Sequence, residues 1–446
     1  MSGSFDTVFA GGTVVTPNGR EQVDVGVRDG RIAAIGDLIQ ASASEVVDCR
    51  GLHILPGVID SQVHFREPGL EHKEDLETGA RAAVLGGVTG VFEMPNTSPT
   101  TTSAAALDDK LRRASGRMSC DYAFWVGATA ENIDALADLE KLPGAAGIKI
   151  FMGSSTGTLL VEDDPTLDRV MRAISRRCAV HAEDEPRLRE RKDLRVPGDP
   201  TSHPVWRDPT AALMATRRLV GAARKAGRRV HVLHISTAEE MDYLADQKDV
   251  ATLEVTPNHL TLAIDEDGER LGTLMQMNPP VRDAAHRARI WQAVRDGLVD
   301  VLGSDHAPHT REEKANSYPE SPSGMPGVQT LVPVMLDHVA KGRLTLERFV
   351  DLTSAGPQRI FGISRKGRIA LGYDADLTIV DLKRTETISN DWIATKAGWT
   401  PYDGLSVTGW PVGTIVRGIK VMWEGDLVNP GEGAPISFVE ALPAEG

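Results

Sequence analysis

The chain has 446 residues, of which 41% are hydrophobic, and it contains 43 glycines and 26 prolines. This composition is typical of a turn-rich globular α/β protein and excludes a disordered or fibrous one. The formal net charge of -14 opposes a nucleic-acid or anionic-membrane partner and favours a small-molecule one.

The cysteines and the N-terminal residues indicate the compartment. Cys49, Cys120 and Cys178 show neither close pairing nor Cys-x-x-Cys spacing, which predicts a reducing cytoplasm without a disulfide framework. Residues 1–7 lack the basic and apolar regions of a signal peptide, and no apolar run reaches the roughly 18 to 20 residues of a membrane helix. We therefore expect a soluble cytoplasmic protein with no membrane partner.

Both ends of the chain are predicted to be β-structure. Residues 6–38 alternate between apolar and polar types, and hairpin-type turn signals interrupt them at Gly11-Gly12, Asn18-Gly19 and Asp29-Gly30. Near the other end, strands are predicted around Gly372 over 367–380, and a hairpin about Arg417-Gly418 over 413–424. We expect one small β-sandwich domain built from both termini, residues 1–53 and 364–446; two unrelated caps are the alternative.

Between these ends, residues 54–363 repeat strand-then-helix units, as expected of parallel βα architecture. The predicted strands are 54–63, 88–94, 122–127, 147–151, 179–182, 229–235, 252–255 and 299–303. Predicted helices include 76–85, 104–113, 165–176, 209–226, 238–247 and 284–297, which are rich in Ala, Leu and Arg. Eight strands predict a closed (β/α)8 TIM-type barrel.

Metal-type residues recur at the ends of these strands, where barrel enzymes place their chemistry. They are His64, Lys149, His181, His234 and Asp305. Each histidine taken alone is more often a packed core residue. Five matched residues at strand ends of one barrel are hard to attribute to chance, so a metal site is predicted.

Lys149 lies between apolar residues in Gly147-Ile148-Lys149-Ile150-Phe151. An ammonium in a barrel strand would cost several kcal/mol of desolvation unless it were paired or modified. One solution is reaction of the neutral amine with carbon dioxide, which gives an anionic carbamate with two oxygen ligands. The alternative is a lysine whose stem is buried and whose head reaches the barrel rim.

Five blocks resemble motifs of the dihydroorotases within the amidohydrolase superfamily, over residues 5 to 425. They are His64-Phe-Arg66-Glu67-Pro68-Gly69, His72-Lys73-Glu74-Asp75, Met94-Pro95-Asn96-Thr97, Gly303-Ser304-Asp305-His306-Ala307-Pro308-His309 and Ser323-Gly324-Met325-Pro326-Gly327. The resemblance implies reversible hydrolysis of the cyclic amide C–N bond of L-dihydroorotate to N-carbamoyl-L-aspartate, in pyrimidine biosynthesis. Allantoinases and hydantoinases share the barrel and the metal ring and are the alternative.

The same resemblance implies one or two zinc ions and a role for each residue. N6-carboxylated Lys149 would bridge the metals, with His181 and His234 on one and His64 and Asp305 on the other. Asp305 would also accept a proton from the attacking water and deliver it to the leaving nitrogen.

Substrate recognition is expected from four further residues. Arg66, Asn96 and His309 would bind the substrate carboxylate, and Asn278 would present backbone groups to the substrate ring. The loop 323–327 either covers the site or is a plain surface loop. The expected partners are a carboxylate-bearing small molecule, a second copy of the chain in a homodimer or higher homo-oligomer, and aspartate transcarbamoylase.

One residue departs from the family pattern. Gln62 stands where most relatives have the first histidine of a His-x-His pair, and its amide oxygen is a weaker zinc ligand than imidazole. Three interpretations follow: a loosely held second metal, a single metal on His181, His234 and Lys149, or a non-catalytic dihydroorotase-like subunit. The presence of the other site residues favours an enzyme.

Overall fold

The computed structural model describes residues 4–153, 159–430 and 433–441. The ends of the predicted composite domain, residues 1–3 and 442–446, lie outside this range, as do residues 431–432. The strands are β1 Phe5–Ala10, β2 Thr13–Thr16, β3 Gly19–Gln22, β4 Asp24–Arg28, β5 Arg31–Gly36, β6 Ala43–Asp48, β7 His53–Pro56, β8 Val58–Val63, β9 Val88–Glu93, β10 Asp121–Gly127, β11 Ala145–Phe151, β12 Cys178–His181, β13 Val230–Val232, β14 Ala251–Val255, β15 Val301–Leu302, β16 Leu377–Thr387, β17 Ser406–Val416, β18 Ile419–Trp423 and β19 Asp426–Leu427.

Helices alternate with the central strands and follow them. They are α1 Leu76–Leu85, α2 Ala104–Ala114, α3 Leu136–Leu139, α4 Asp164–Ala173, α5 Glu185–Glu190, α6 His203–Trp206, α7 Pro209–Ala226, α8 Ala238–Ala245, α9 Pro257–Thr261, α10 Ile264–Leu271, α11 Ala284–Arg295, α12 Arg311–Lys314, α13 Leu331–Ala340, α14 Leu346–Val350 and α15 Gly356–Phe361. Across the described ranges, no helix is long and apolar enough to cross a membrane.

Strands β8 to β15 form a parallel sheet in sequential order. Its two edges meet where the Val63 and His306 backbones pair and where the His64 N–H donates to the His306 carbonyl at 2.7 Å. Every residue of these strands is buried, as expected where helices cover the outside and side chains fill the inside. The predicted (β/α)8 barrel is confirmed.

Local signals fix the helix boundaries that the sequence predicted. Asp208 caps α7 by accepting a hydrogen bond from Ala211 N, Pro209 occupies its first turn, and Gly227 ends it with a φ of 66°. Asp75 and Thr78 form a reciprocal capping box at the start of α1. Short polar caps and a terminal glycine satisfy end groups that the helix cannot pair internally.

Two further sheets form the satellite β-structure, and both ends of the chain contribute to it. One has the order β5-β4-β1-β6, and the other has the order β19-β18-β17-β16-β7-β2-β3. Phe9 and Val25 from the first sheet share a buried cluster with Ile54, Leu377 and Ile415 from the second. The exact boundaries predicted for the two domains stay a prediction.

Three local expectations were wrong. The predicted strand 54–63 is two strands: β7 pairs with β2 and β16 in the satellite sheet, and only β8 enters the barrel. Gly11-Gly12 does not close a hairpin, because β1 and β2 belong to different sheets. In the predicted 367–380 segment, only β16 is a strand, because the residues around Gly372 form turns.

The last described segment returns to the barrel. Pro435 pairs with Tyr122 and Phe438 pairs with Ile363. Ile436 and Phe438 pack in one cluster with barrel residues such as Phe92 and Trp125. This segment therefore fills the end of the barrel at which the strands begin, opposite the predicted site.

Candidate active site

A cavity of about 700 Å³ opens at the carboxyl ends of the barrel strands. All ten residues singled out from the sequence line it: Gln62, His64, Arg66, Asn96, Lys149, His181, His234, Asn278, Asp305 and His309. They come from strands β8, β9, β11, β12, β13, β14 and β15 or from the segments that follow them. The barrel thus brings together residues that lie up to 247 positions apart in the sequence, as Gln62 and His309 do.

His181 and His234 form a close pair in the ring. His181 ends β12, His234 follows β13, and His181 Nδ1 lies 3.0 Å from His234 Nε2. Two ligands of a tetrahedral zinc at about 2.0–2.1 Å lie roughly 3.3 Å apart, so the facing nitrogens are suitably spaced for one ion. Burial lowers the pKa of both imidazoles, which keeps them neutral and able to bind a metal.

Glu183 and Arg207 hold His181 in one orientation. His181 Nε2 lies 2.8 Å from Glu183 Oε2, and Arg207 Nε and Nη2 donate to the same carboxylate at 3.1 and 2.5 Å. Burial alone would raise the pKa of Glu183, but the charge of Arg207 and the hydrogen bond from His181 outweigh it and lower that pKa. Because the carboxylate accepts the Nε2 proton, the Nδ1 lone pair faces the cavity. Sequence reasoning missed both residues, although Glu183 follows His181 by only two positions.

Lys149 is a buried amine without a polar partner among the residues that the structure describes. Its residue is 1% exposed, its Nζ lies 4.5 Å from the Phe151 ring centroid, and no hydrogen bond or ion pair joins it to any residue within 4–153, 159–430 or 433–441. Burial lowers its pKa to about 7, although the negative charges of Asp305 and Glu254 oppose that shift. A large fraction of this lysine is therefore the neutral, nucleophilic amine near neutral pH.

His64, Asp305 and Gln62 meet at the opposite side of the ring from the His181 pair. His64 Nε2 lies 3.3 Å from Asp305 Oδ1, and Gln62 Nε2 donates to the same oxygen at 3.0 Å. Burial lowers the pKa of His64 to about 4 despite the opposing effect of Asp305, so the imidazole is neutral. Gln62 and His64 therefore project to one side of β8, as their two-residue spacing predicts.

Asn96 fixes the tautomer of His64. His64 Nδ1 lies 2.7 Å from Asn96 Oδ1, and an amide oxygen can only accept, so Nδ1 carries the proton and Nε2 has the free lone pair. In the described part of the chain, the Asn96 side-chain nitrogen makes no hydrogen bond, so it can still donate to a ligand. The residue predicted to bind substrate thus also orients a predicted metal ligand.

The polar atoms of the ring fit a cation on one side better than on the other. Among described residues, no three His, Cys, Asp or Glu side chains converge as a complete cation site, because Lys149 and Gln62 take two of the ring positions. The buried Gln62 Oε1 has no hydrogen-bond partner within that part of the chain, while Gln62 Nε2 donates a hydrogen bond to Asp305 Oδ1. The His181, His234 and Lys149 side therefore fits an ion once Lys149 is anionic, whereas the His64 side requires Gln62 to turn.

Three site residues adopt left-handed backbone conformations. The φ angles are 66° for Arg66, 37° for His234 and 49° for Asp305. Non-glycine residues rarely adopt such angles, and they do so where the surrounding structure enforces a particular side-chain direction. The barrel thus turns these side chains into the cavity at the cost of local strain.

Arg66 and Lys73 place two cations at one wall of the cavity, with His309 between them. A carbonyl only accepts and an ammonium only donates, so His309 Nε2 donates to Ser323 O at 3.0 Å and Nδ1 accepts from Lys73 Nζ at 3.2 Å. Arg66 Nη2 lies 3.4 Å from the same Nε2. Burial and the charges of Arg66 and Lys73 lower the pKa of His309 far below its usual range. Lys73 lies in a block noted in the sequence, but its role was missed.

The loop 323–327 and Asn278 form another part of the wall. Ser323 and Gly324 line the cavity, and a Cβ on Gly324, whose φ is 146°, would lie 2.3 Å from Ala307 O. Only glycine fits that close approach. Asn278 lines the cavity beside them, and its Oδ1 lies 2.9 Å from His203 Nε2, which holds the side chain in place.

Comparisons with known proteins agree with this architecture. Residues 53–421 match the model of the amidohydrolase family. The chain is 39% identical over 413 residues to a dihydroorotase of Halobacterium salinarum, an alignment that covers 92% of this chain and 95% of the relative. It is 33% identical to an allantoinase of Deinococcus radiodurans, over 96% of this chain and 98% of the relative. The solved L-hydantoinase of Arthrobacter aurescens superimposes with a TM-score of 0.92 at 30% identity, over 96% of this chain and 99% of that one. The chain belongs to the amidohydrolase family.

Proposed function

We propose that this protein is a zinc-dependent dihydroorotase, which reversibly hydrolyses L-dihydroorotate to N-carbamoyl-L-aspartate in pyrimidine biosynthesis. The observation that carries the proposal is a single cavity with a neutral histidine pair and a buried unpaired lysine beside an arginine and a carboxylate. The dihydroorotase relative, which matches nearly the whole chain, supports the choice of substrate.

The proposed metal position is the His181 and His234 side, with Lys149 as the third ligand. The depressed pKa of Lys149 supplies a neutral amine, which attacks carbon dioxide and loses a proton to give the N6-carboxylated side chain. The unmodified Lys149 amine has no hydrogen-bond or ion-pair partner among the described residues. The carbamate gives the same side chain a negative charge that can bind the metal. Nitrogen and oxygen ligands of this kind suit zinc.

Asp305 moves the proton in the proposed reaction. Bound zinc would polarise the scissile carbonyl and lower the pKa of the attacking water. Asp305 accepts a proton as the water oxygen bonds to the carbonyl carbon, and it returns that proton to the ring nitrogen as the C–N bond breaks. The hydrogen bond from Gln62 to Asp305 Oδ1 keeps the carboxylate aimed into the cavity.

The proposed carboxylate clamp consists of Arg66 with the free amide nitrogen of Asn96, and His309 supports it. Burial lowers the pKa of Arg66 to about 10, and the guanidinium remains charged at neutral pH. Lys73 adds a second cation beside His309. An arginine fork and an ammonium at one wall can bind a carboxylate, whereas a neutral ring offers them no negative charge.

In this proposal, Gln62 determines how many zinc ions the site binds firmly. Its amide donates to Asp305 Oδ1, the oxygen that also faces His64 Nε2. A second ion there would have to displace that hydrogen bond and accept a neutral amide oxygen in place of an imidazole. We therefore expect one firmly bound zinc and at most a loosely bound second one.

Hydrolysis of a hydantoin or of allantoin is the second candidate, because a solved L-hydantoinase superimposes over nearly the whole chain. Arg66 discriminates between the candidates, since a neutral hydantoin ring offers it no carboxylate. A non-catalytic subunit that assembles with aspartate transcarbamoylase is the third, and Gln62 is its only support among the site residues.

The deciding experiment measures zinc content and turnover on the same preparation. Protein purified with zinc and bicarbonate is assayed with dihydroorotate, hydantoin and allantoin in parallel, with Asp305→Asn as the inactive control. Turnover of dihydroorotate alone is expected. Preference for hydantoin would show that the proposed substrate is wrong. A metal-free, inactive protein would support the interpretation as a non-catalytic subunit. Light scattering on the same sample tests the expected homo-oligomer.

A further inference from the structure

A second cavity, of about 500 Å³, lies at the opposite end of the barrel from the candidate active site. Five arginines line it: Arg176, Arg177, Arg228, Arg229 and Arg359. Glu440 is the one carboxylate among its lining residues in the part of the chain that the structure describes. Such a concentration of positive charge is unexpected in a chain whose formal net charge is -14.

The barrel register brings four of these arginines together. Arg176-Arg177 directly precedes β12, and Arg228-Arg229 directly precedes β13. These neighbouring parallel strands pair with Cys178 opposite Val230, so the two doublets stand side by side at the strand starts. Burial and the nearby charge of Arg229 lower the pKa of Arg177, as expected for like charges held close together.

Described residues provide hydrogen-bond or ion-pair partners for only some of these guanidinium groups. Arg359 pairs with Asp351 at 3.2 Å, and Arg176 donates to the carbonyls of Ala145 and Ala146 at 3.1 Å. Arg228 and Arg229, by contrast, make no side-chain hydrogen bond or ion pair with any described residue, and the buried Arg228 Nε lacks an acceptor. A buried N–H without an acceptor costs free energy, which an anionic ligand would recover.

We propose that this cavity is a binding site for a small molecule that carries two or more phosphate groups. Guanidinium groups bind phosphate through paired parallel hydrogen bonds, and several of them in one concave site favour a polyanion over a single carboxylate. Ile360 and Val439 add apolar surface to the wall, which suits an organic group on the phosphates. The site is independent of the proposed hydrolytic reaction and of its metal.

Calorimetric titration of the full-length protein with pyrophosphate, at constant ionic strength, tests the proposal. The wild type is expected to bind, and the double variant Arg228→Gln/Arg229→Gln should weaken binding by about tenfold or more. Neither side chain has a hydrogen-bond or ion-pair partner among the residues that the structure describes, so the double variant should fold. Arg224→Gln is the matched control, because Arg224 is exposed in the last turn of α7, just before these arginines in the chain, and pairs with Asp249.

Two other outcomes would overturn the proposal. One is equal affinity in the wild type and the double variant, and the other is no binding by the wild type up to about 10 mM pyrophosphate. Arg66→Ala, which removes the cation of the active-site cavity, should leave the binding intact. Any extraction of zinc by pyrophosphate is common to all variants, so the difference between them reports on the arginine cavity alone.

Discussion

Replacing Lys149 by methionine should stabilise the metal-free, bicarbonate-free protein, and the gain should shrink as the pH rises. The amine is buried and unpaired, and burial lowers its pKa from 10.5 to about 7. The unfolded chain therefore binds more protons than the folded one between these values. Wild-type stability consequently rises with pH across this window, while the methionine variant has no such dependence.

The two pKa values give the size of the effect. The lowered pKa of Lys149 reduces the stability of the folded wild type by about 4 kcal/mol at pH 7 and by about 2 kcal/mol at pH 9. Unfolding a chain of 446 residues carries an entropy of about 0.9 kcal/mol/K, so these costs correspond to about 5 °C and about 2 °C in Tm. Differences in packing between lysine and methionine shift both values equally.

Differential scanning calorimetry of both proteins from pH 7 to pH 9, with chelator present, measures the difference directly. Lys225→Met, at an exposed lysine that pairs with Asp168, is the control and should show no such trend. A Tm difference that stays constant with pH would refute the assignment of a neutral amine. Adding zinc and bicarbonate should then stabilise the wild type and not the Lys149→Met variant.

Four further substitutions test the two sides of the cavity. Gln62→His should raise the zinc content per chain, measured by mass spectrometry of the metal, and an unchanged stoichiometry would count against the role assigned to Gln62. Glu183→Gln should weaken zinc binding by about 10- to 100-fold in a competition titration with a chelator, because a neutral amide replaces the charged carboxylate that Arg207 holds against His181. Arg66→Ala should raise KM for dihydroorotate by a factor equivalent to a few kcal/mol, and unchanged turnover at low substrate would show that the clamp is misassigned. Lys73→Met should raise the same KM more modestly, whereas the neighbouring exposed His72→Ala should not change it.

The barrel could be predicted from the sequence because its signals are local. The barrel strands are short, mostly apolar runs near turn residues, and many of the helices begin at a polar cap, as α1 and α7 illustrate. The rule that barrel chemistry lies at strand ends then selects residues such as His181, and the structure places them around one cavity.

The misassigned strand 54–63 shows where local signals fail. The run looks like one continuous strand in the sequence, yet its first half pairs with β2 and β16 and its second half pairs with β9. The partner of each half lies far away in the chain, and alternation within the segment carries no information about it. Register and sheet membership depend on long-range pairing.

The sequence by itself determined the fold class and the chemical types at the site, because periodicity and strand-end residues are properties of short segments. Only the tertiary structure decided which atoms face each other. It sets the Glu183 contact that leaves His181 Nδ1 free and the Lys73 contact that fixes the His309 tautomer. It also sets the hydrogen bond that Gln62 donates to Asp305. These contacts join residues on different barrel elements or depend on a side-chain rotamer. Their geometry arises from packing the whole barrel, and no stretch of sequence encodes it alone.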